Sequence, residues 1–196
     1  MKHEKLHSLI PLEQFKAVLS LDDRDDKIHC FCLTTATYTI EQYCHRQFLT
    51  KGHFEDLAFW GDRTIPLTYY PVRKVIALYI RWPGEQEMIL VEPDFYRIEP
   101  EAGTGFDTPT SLVLYGGLRI LPGERSLRAI YKTGYDIEKV PADLAAACLE
   151  LASWHMNRYK GRKIGVIGNN RNGEQFEVRI PENVQALLEP YRRKLI

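Results

Sequence analysis

The stretch VPADLAAACLELASWHMNRY (140–159) decides the fold. Pro141 stands where a helix tolerates proline, in the first turn. After it Leu144, Cys148, Leu151 and His155 recur at helical spacing, with Ala145 and Ala152 beside them. An alanine-rich face of this kind lets a second helix approach closely. Downstream, the Gly/Asn-rich segment 163–180 carries Asn172-Gly173, a strong type I′ hairpin signal, and Phe176, Val178 and Ile180 alternate with Glu177 and Arg179. IPENV (180–184) then opens a short helix over 181–189 that aligns Val184, Leu187 or Leu188, and Tyr191, with Pro190 ending or kinking it. A packed helix, a two-stranded finger and a closing helix with a basic-apolar tip are suited to docking.

Working outward, Pro11 opens a helix over 12–21, and the acidic run Asp22, Asp23, Asp25 and Asp26 reads as a loop that caps the next helix. That helix is expected over 25–48, with Ile28, Phe31/Cys32, Ala36, Ile40, Tyr43/Cys44 and Phe48 as its apolar positions. From 49 to 135 the period changes to two. Strands are expected at 53–60, 73–82, 88–92, 111–115 and 126–132, punctuated by Gly61-Asp62, Pro83-Gly84, Pro93-Asp94, Gly116-Gly117 and Pro122-Gly123. The fold class is therefore α+β. A helical core drawn from 1–49 and 134–162 holds an inserted antiparallel β subdomain, 50–133, and residues 163–196 form the hairpin finger and the docking helix.

Composition excludes several classes of function. The chain has 196 residues with 44% hydrophobic content, enough for a sizeable core. Twenty-six basic residues balance 26 acidic ones, whereas a dedicated nucleic-acid binder carries a basic excess. From Arg158 onward nine Lys/Arg face four Glu, so this end is locally basic. No apolar run reaches the length of a membrane span, and MKHEKLH lacks the core of a signal peptide, so an intracellular setting without a membrane is expected.

The residue types that carry chemistry are present without the spacing that chemistry needs. The histidines at 3, 7, 29, 45, 53 and 155 are scattered, and no HExxH, GxSxG or phosphate-loop pattern occurs. Cys30 and Cys32 lie about 200° apart around a helix and cannot bond to each other or share a metal. Cys44 and Cys148 have no partner with ligand spacing, so the four cysteines read as small buried apolar residues. The carboxylates at Glu85–Glu87 and Glu99–Glu101 read as solvated turns, and Trp60, Trp82, Tyr79 and Tyr131 as sheet core. No catalytic residue, metal site or cofactor is expected.

Several phrases together resemble a known family. ATYTIEQYCHRQF (36–48), with Glu41, Tyr43 and Arg46, is similar to a helix end of the head–tail connector proteins (adaptor or head completion proteins) of long-tailed bacteriophages and gene transfer agents. YPVRKVIALYI (70–80), PDFYRI (93–98), LRAIYKTGY (127–135) followed by VPADLAAACLELASW (140–154), and IPENVQALLEPYRR (180–193) extend the likeness over nearly the whole chain; 98–118 and the finger depart from it. The resemblance implies a virion protein, made in the host cytoplasm, that forms a ring, usually a dodecamer, beneath the portal. It would extend the DNA channel, meet the genomic DNA non-specifically, and present a surface to the tail or the next connector (stopper) protein.

A closed ring needs two different complementary faces on each subunit. An aromatic ring, three cations and two terminal aliphatics have the composition of an interface anchor. The expected contacts to the portal or a neighbouring subunit are therefore Tyr191, Arg192, Arg193, Lys194, Leu195 and Ile196, with Phe176, Val178, Ile180, Asn172 and Gly173 of the finger. The rival reading is a nucleic-acid-binding module that uses the basic C-terminal third.

Overall fold

The computed structural model describes residues 6–100, 109–161, 168–170, 173–175 and 180–193. The chain divides into two compact units, Met1–Leu49 with Asp136–Ile196, and Thr50–Tyr135.

The first unit is helical: α1 (Leu12–Leu19), α2 (Asp26–Cys44), α3 (Ala142–Lys160) and α4 (Glu182–Leu188). Ser20, in left-handed backbone, ends α1 and returns its N–H to the Lys16 carbonyl. The acidic run behaves differently from expectation. The Asp22 side chain accepts from the Arg24 N–H and so caps the 3-10 turn Asp23–Asp25, not α2 itself. Helices α2 and α3 pack through Cys32, Leu33, Ala36, Ile40 and Cys44 on one side and Leu144, Ala147, Cys148, Leu151, Ala152 and Met156 on the other, all buried. The small residues are what permit the approach. Cys148 sits beside the Thr37 hydroxyl at 3.7 Å, and burial pushes its thiol up to about 11.

Two details of these helices correct the sequence reading. The buried stripe of α2 contains His29, Thr37 and Glu41, while Ile28 and Phe31 face solvent at 39% and 54% exposure. In α3 the buried face uses Ala147 and Met156, and His155 stands half-buried beside it, where desolvation lowers its pKa. Helix α2 also stops four residues short of Phe48. His45 adopts left-handed backbone (φ 53°), its N–H and that of Arg46 close on the last turn, and the chain swings out.

The second unit is β. One sheet has strand order β1-β7-β3-β4, from β1 (Lys51–Phe59), β7 (Gly123–Thr133), β3 (Val72–Arg81) and β4 (Met88–Leu90). The other has order β2-β6-β5, from β2 (Thr64–Pro66), β6 (Pro109–Leu114) and β5 (Tyr96–Pro100). All pairings are antiparallel. Leu57, Leu78, Ile80, Leu127, Ala129 and Tyr131 of the first sheet form one core with Ile65, Leu112 and Leu114 of the second. Strand β2 was not expected, whereas β5 follows the turn Pro93–Phe95 as the resemblance of PDFYRI (93–98) to a turn into a strand implies. Glu99 lies in β5 and not in a turn, bound by the Tyr115 hydroxyl at 2.7 Å, and Trp60 is 69% exposed instead of core.

Tyr131 is the largest fully buried side chain, and its hydroxyl must find a partner. It donates to Glu55, which also accepts from the Thr68 N–H and hydroxyl. Burial, then the Glu55 carboxylate, raises the phenol pKa. On the opposite face Arg128 grips Asp56 through two bonds, 2.7 and 3.2 Å, while its guanidinium lies over the Phe54 ring.

A third, two-stranded sheet pairs β8 (Gly168–Asn170) with β9 (Gly173–Gln175). Asn170 is the partner of Gly173, so Gly173 is a paired strand residue and not the second turn residue that Asn172-Gly173 suggested.

Two outcomes follow from this packing. Leu78→Ala, which empties a fully buried position of the β core, is expected to cost about 2–5 kcal/mol in urea unfolding. Arg128 holds the Asp56 carboxyl below its ordinary value of 3.8, so its stabilisation is present above that value and is lost as pH falls through the lower folded value. Acid unfolding of Asp56→Asn should lack that component.

Candidate docking surface

The C-terminal end of α2 is where the predicted docking segment lands. Glu41 is 8% exposed, and a buried carboxylate requires donors. Its Oε2 meets His7 Nε2 at 3.0 Å, and its Oε1 accepts the Phe48 N–H at 3.0 Å. His7 stacks on Tyr38 of α2, ring centroids 4.5 Å apart. The segment before α1 is thereby seated on α2, with Leu9 N–H bonded to the Thr37 hydroxyl and Ser8, Leu9 and Ile10 buried.

The closing helix α4 docks on the same region. Val184 and Leu188 are fully buried, and α4 packs against α3. The Leu188 carbonyl faces the Cys44 thiol at 3.9 Å, and burial pushes that thiol up to about 12. Beyond α4 the 3-10 turn Glu189–Tyr191 continues the contact. Tyr43 donates to Glu189 at 3.4 Å, and its phenol pKa is raised by burial and then by that carboxylate. Arg192 lies over the Tyr43 ring and 4.0 Å from Glu189. Tyr191 meets Phe48 edge-to-face at 6.0 Å, and its hydroxyl donates to Asp143 at 3.1 Å. The Arg193 N–H donates to the Cys44 carbonyl at 2.9 Å.

The closing helix therefore packs within its own unit. Through Arg193 the chain is bonded to its own helical unit, because Val184 and Leu188 sit on the α3 face and the turn after them offers its polar groups to the end of α2. Of the other sequence-derived contact residues, Ile180 is half-buried, with its carbonyl accepting from Gln185 at 2.6 Å, and Gly173 is in β9. Asn172, Phe176, Val178, Lys194, Leu195 and Ile196 lie outside the described residues.

Sequence reasoning missed a second apolar surface on α2. Ile28, Phe31 and Tyr38 form a solvent-facing stripe, and Phe31 meets Tyr159 of α3 edge-to-face at 5.5 Å. The available signal was the polar trio His29, Thr37 and Glu41, which occupies the opposite, buried side. Among the described residues no three His, Cys, Asp or Glu side chains converge as a metal site, and no helix is long and apolar enough to cross a membrane.

No family model matches the sequence, and no curated protein matches it either. Solved structures do. A chain in the neck of an empty GTA particle, computed with C6 symmetry, is 22% identical with a TM-score of 0.60, over 96% of this chain and 91% of that one. A chain in the virion of a native gene transfer agent (GTA) particle gives the same values. A chain in the neck of a native GTA particle, computed with C12 symmetry, gives 20% and 0.59 over the same shares. At this level of identity the likeness is one of fold, and it spans both units.

The docked state of the C-terminal turn has a measurable consequence. Tyr191→Ala should destabilise the helical unit by about 1–3 kcal/mol, the sum of one aromatic pair and one hydrogen bond. Tyr191→Phe, which keeps the ring on Phe48, should lose only about 0.5–1.5 kcal/mol. Thermal unfolding of the two variants checks the ordering.

Proposed function

We propose that this protein is a structural head–tail connector of the adaptor type, from a tailed phage, prophage or gene-transfer-agent-like particle. Copies of it form a ring beneath the portal, extend the DNA channel and present the attachment surface for the tail or the next connector protein. The observation that carries this reading is the likeness of fold to gene transfer agent neck chains over nearly the full length of both partners. The C6 and C12 symmetries of those neck structures support a cyclic assembly, which a heterologous interface would close. The role is structural, and no step of chemistry is assigned to any side chain.

The docked C-terminal turn bears on which residues this reading assigns to the portal contact. Tyr191 to Arg193 are engaged within the subunit, and on this reading the portal contact is made through Lys194, Leu195 and Ile196. The docked turn would give that contact a preorganised base. A preorganised base lowers the ordering cost of binding.

Two truncations separate these roles. Removing Lys194–Ile196 should leave the unfolding transition unchanged and abolish attachment to portal-bearing heads. Removing Tyr191–Ile196 should cost stability as well. If the shorter truncation still completes infectious particles, the anchor lies elsewhere, with the finger as the next segment to delete.

A further inference from the structure

A groove runs along the helical unit between the end of α1, α3 and the start of α4, with a volume of about 380 Å³. Leu19, Leu149, Trp154 and Val184 line its apolar floor, and the exposed Glu150 and Asn157 stand at its edge. Val184 is buried, but Leu19, Leu149 and Trp154 are only half-buried, so the floor leaves apolar surface in contact with water. The Arg158 guanidinium lies over the Trp154 ring at 4.3 Å and holds the indole in place. A cleft of this size, with an aromatic on its floor and a polar edge, has the composition of a binding site.

Crevices between helix ends are common, and this one becomes a site only with an occupant. The chain carries a matching one. Strands β8 and β9 form a sheet of their own that no third described strand joins, and a two-stranded ribbon is marginal without apolar cover. The residues that lead into β8 are Ile164, Gly165, Val166 and Ile167. Extended, four residues measure about 13 Å; the groove follows α3 from Leu149 to Asn157, a rise of about 12 Å. Charge agrees as well. From Arg162 to Arg179 the chain has four Lys/Arg and two Glu, and of the residues that line the groove Glu150 alone is ionisable. Helix α3 ends at Lys160, capped by Gly161. To enter the groove of its own subunit the arm 164–167 would have to double back on α3 within about three residues, whereas an adjoining subunit at that helix end is met without a reversal. Residue 167 can stand about 20 Å from Gly161, enough to cross to such a neighbour.

We propose that the groove of α1, α3 and α4 receives the apolar arm 164–167 of a second copy of this chain. This rests on the connector reading, in which copies close into a ring, and it supplies the two unlike faces that such a ring needs: a protruding arm and a receiving cleft. The test places the photo-reactive p-benzoylphenylalanine at position Trp154 of the full-length chain. Light and isotope-labelled protein are mixed, irradiated both free at high concentration and bound to portal-bearing heads, and the cross-linked peptides are identified by mass. Attachment to heads is scored separately.

Position 154 of one copy should be joined to the arm 164–167 of a copy carrying the other label. Ser153→Arg, which puts a long cation into the groove, should remove that product without moving the unfolding midpoint. Ile164→Ser/Val166→Ser leaves the described packing untouched and should lower the yield at least about tenfold, through the loss of two buried aliphatic side chains. Products within one copy only, products with another segment or with a portal subunit, no product at all, or a Ser variant of unchanged yield would each overturn the proposal. Cross-links between copies that do not attach to heads keep the groove and remove the connector reading. Attachment without those cross-links does the reverse.

Discussion

The helical unit depends on one buried carboxylate. Glu41 sits near the end of α2, almost out of solvent, and a charge there is tolerated only with donors in place. His7 and the Phe48 N–H supply them, and each belongs to a different passage of chain. The first seats the segment that precedes α1. The second turns the chain back after α2 and presents the Phe48 ring, on which Tyr191 closes. Three passages that are remote in sequence thus converge on one helix end, and the position of the C-terminal turn follows from a side chain 150 residues earlier.

The β unit is organised on a separate principle. Its two sheets bury a common apolar core, and the one large polar group inside it, the Tyr131 hydroxyl, is satisfied by Glu55. Its solvent face keeps Asp56 and Arg128 as an internal pair. Each unit also carries exposed apolar side chains, Ile28, Phe31 and Tyr38 on α2 and Phe54 and Trp60 on the β unit. A subunit that must contact unlike neighbours on unlike faces needs surfaces of different chemistry.

How much of this was legible in the sequence depended on whether periodicity or pairing carried the information. The α+β class, the four helices and strands β1, β3, β4, β6 and β7 follow from the spacing of apolar residues. Strand β2 has only three residues and no alternation to announce it, so only its pairing with β6 defines it, and β5 was signalled by the resemblance of PDFYRI (93–98) and not by periodicity. The buried face of α2 is hidden in the sequence because His29, Thr37 and Glu41 look like surface residues; Thr37 and Glu41 meet Leu9, His7 and Phe48 from other segments, and His29 meets the Phe15 ring of α1. For the same reason Tyr191 looked like a free anchor. Its partners, Phe48 and Asp143, are more than 40 residues away, and no local pattern announces them. The pairing of Lys74 with Lys132 is likewise invisible in sequence, since strand register alone makes them neighbours.

On the proposed connector reading, both units offer surfaces to a cyclic assembly at a particle vertex. Electron microscopy of the purified full-length chain mixed with portal-bearing heads tests that claim most directly. The account predicts an added ring of cyclic symmetry seated on the portal, with density continuous from the C-terminal turn into the portal. Heads whose portal vertex stays bare, beside protein that remains monomeric at every concentration, would contradict it.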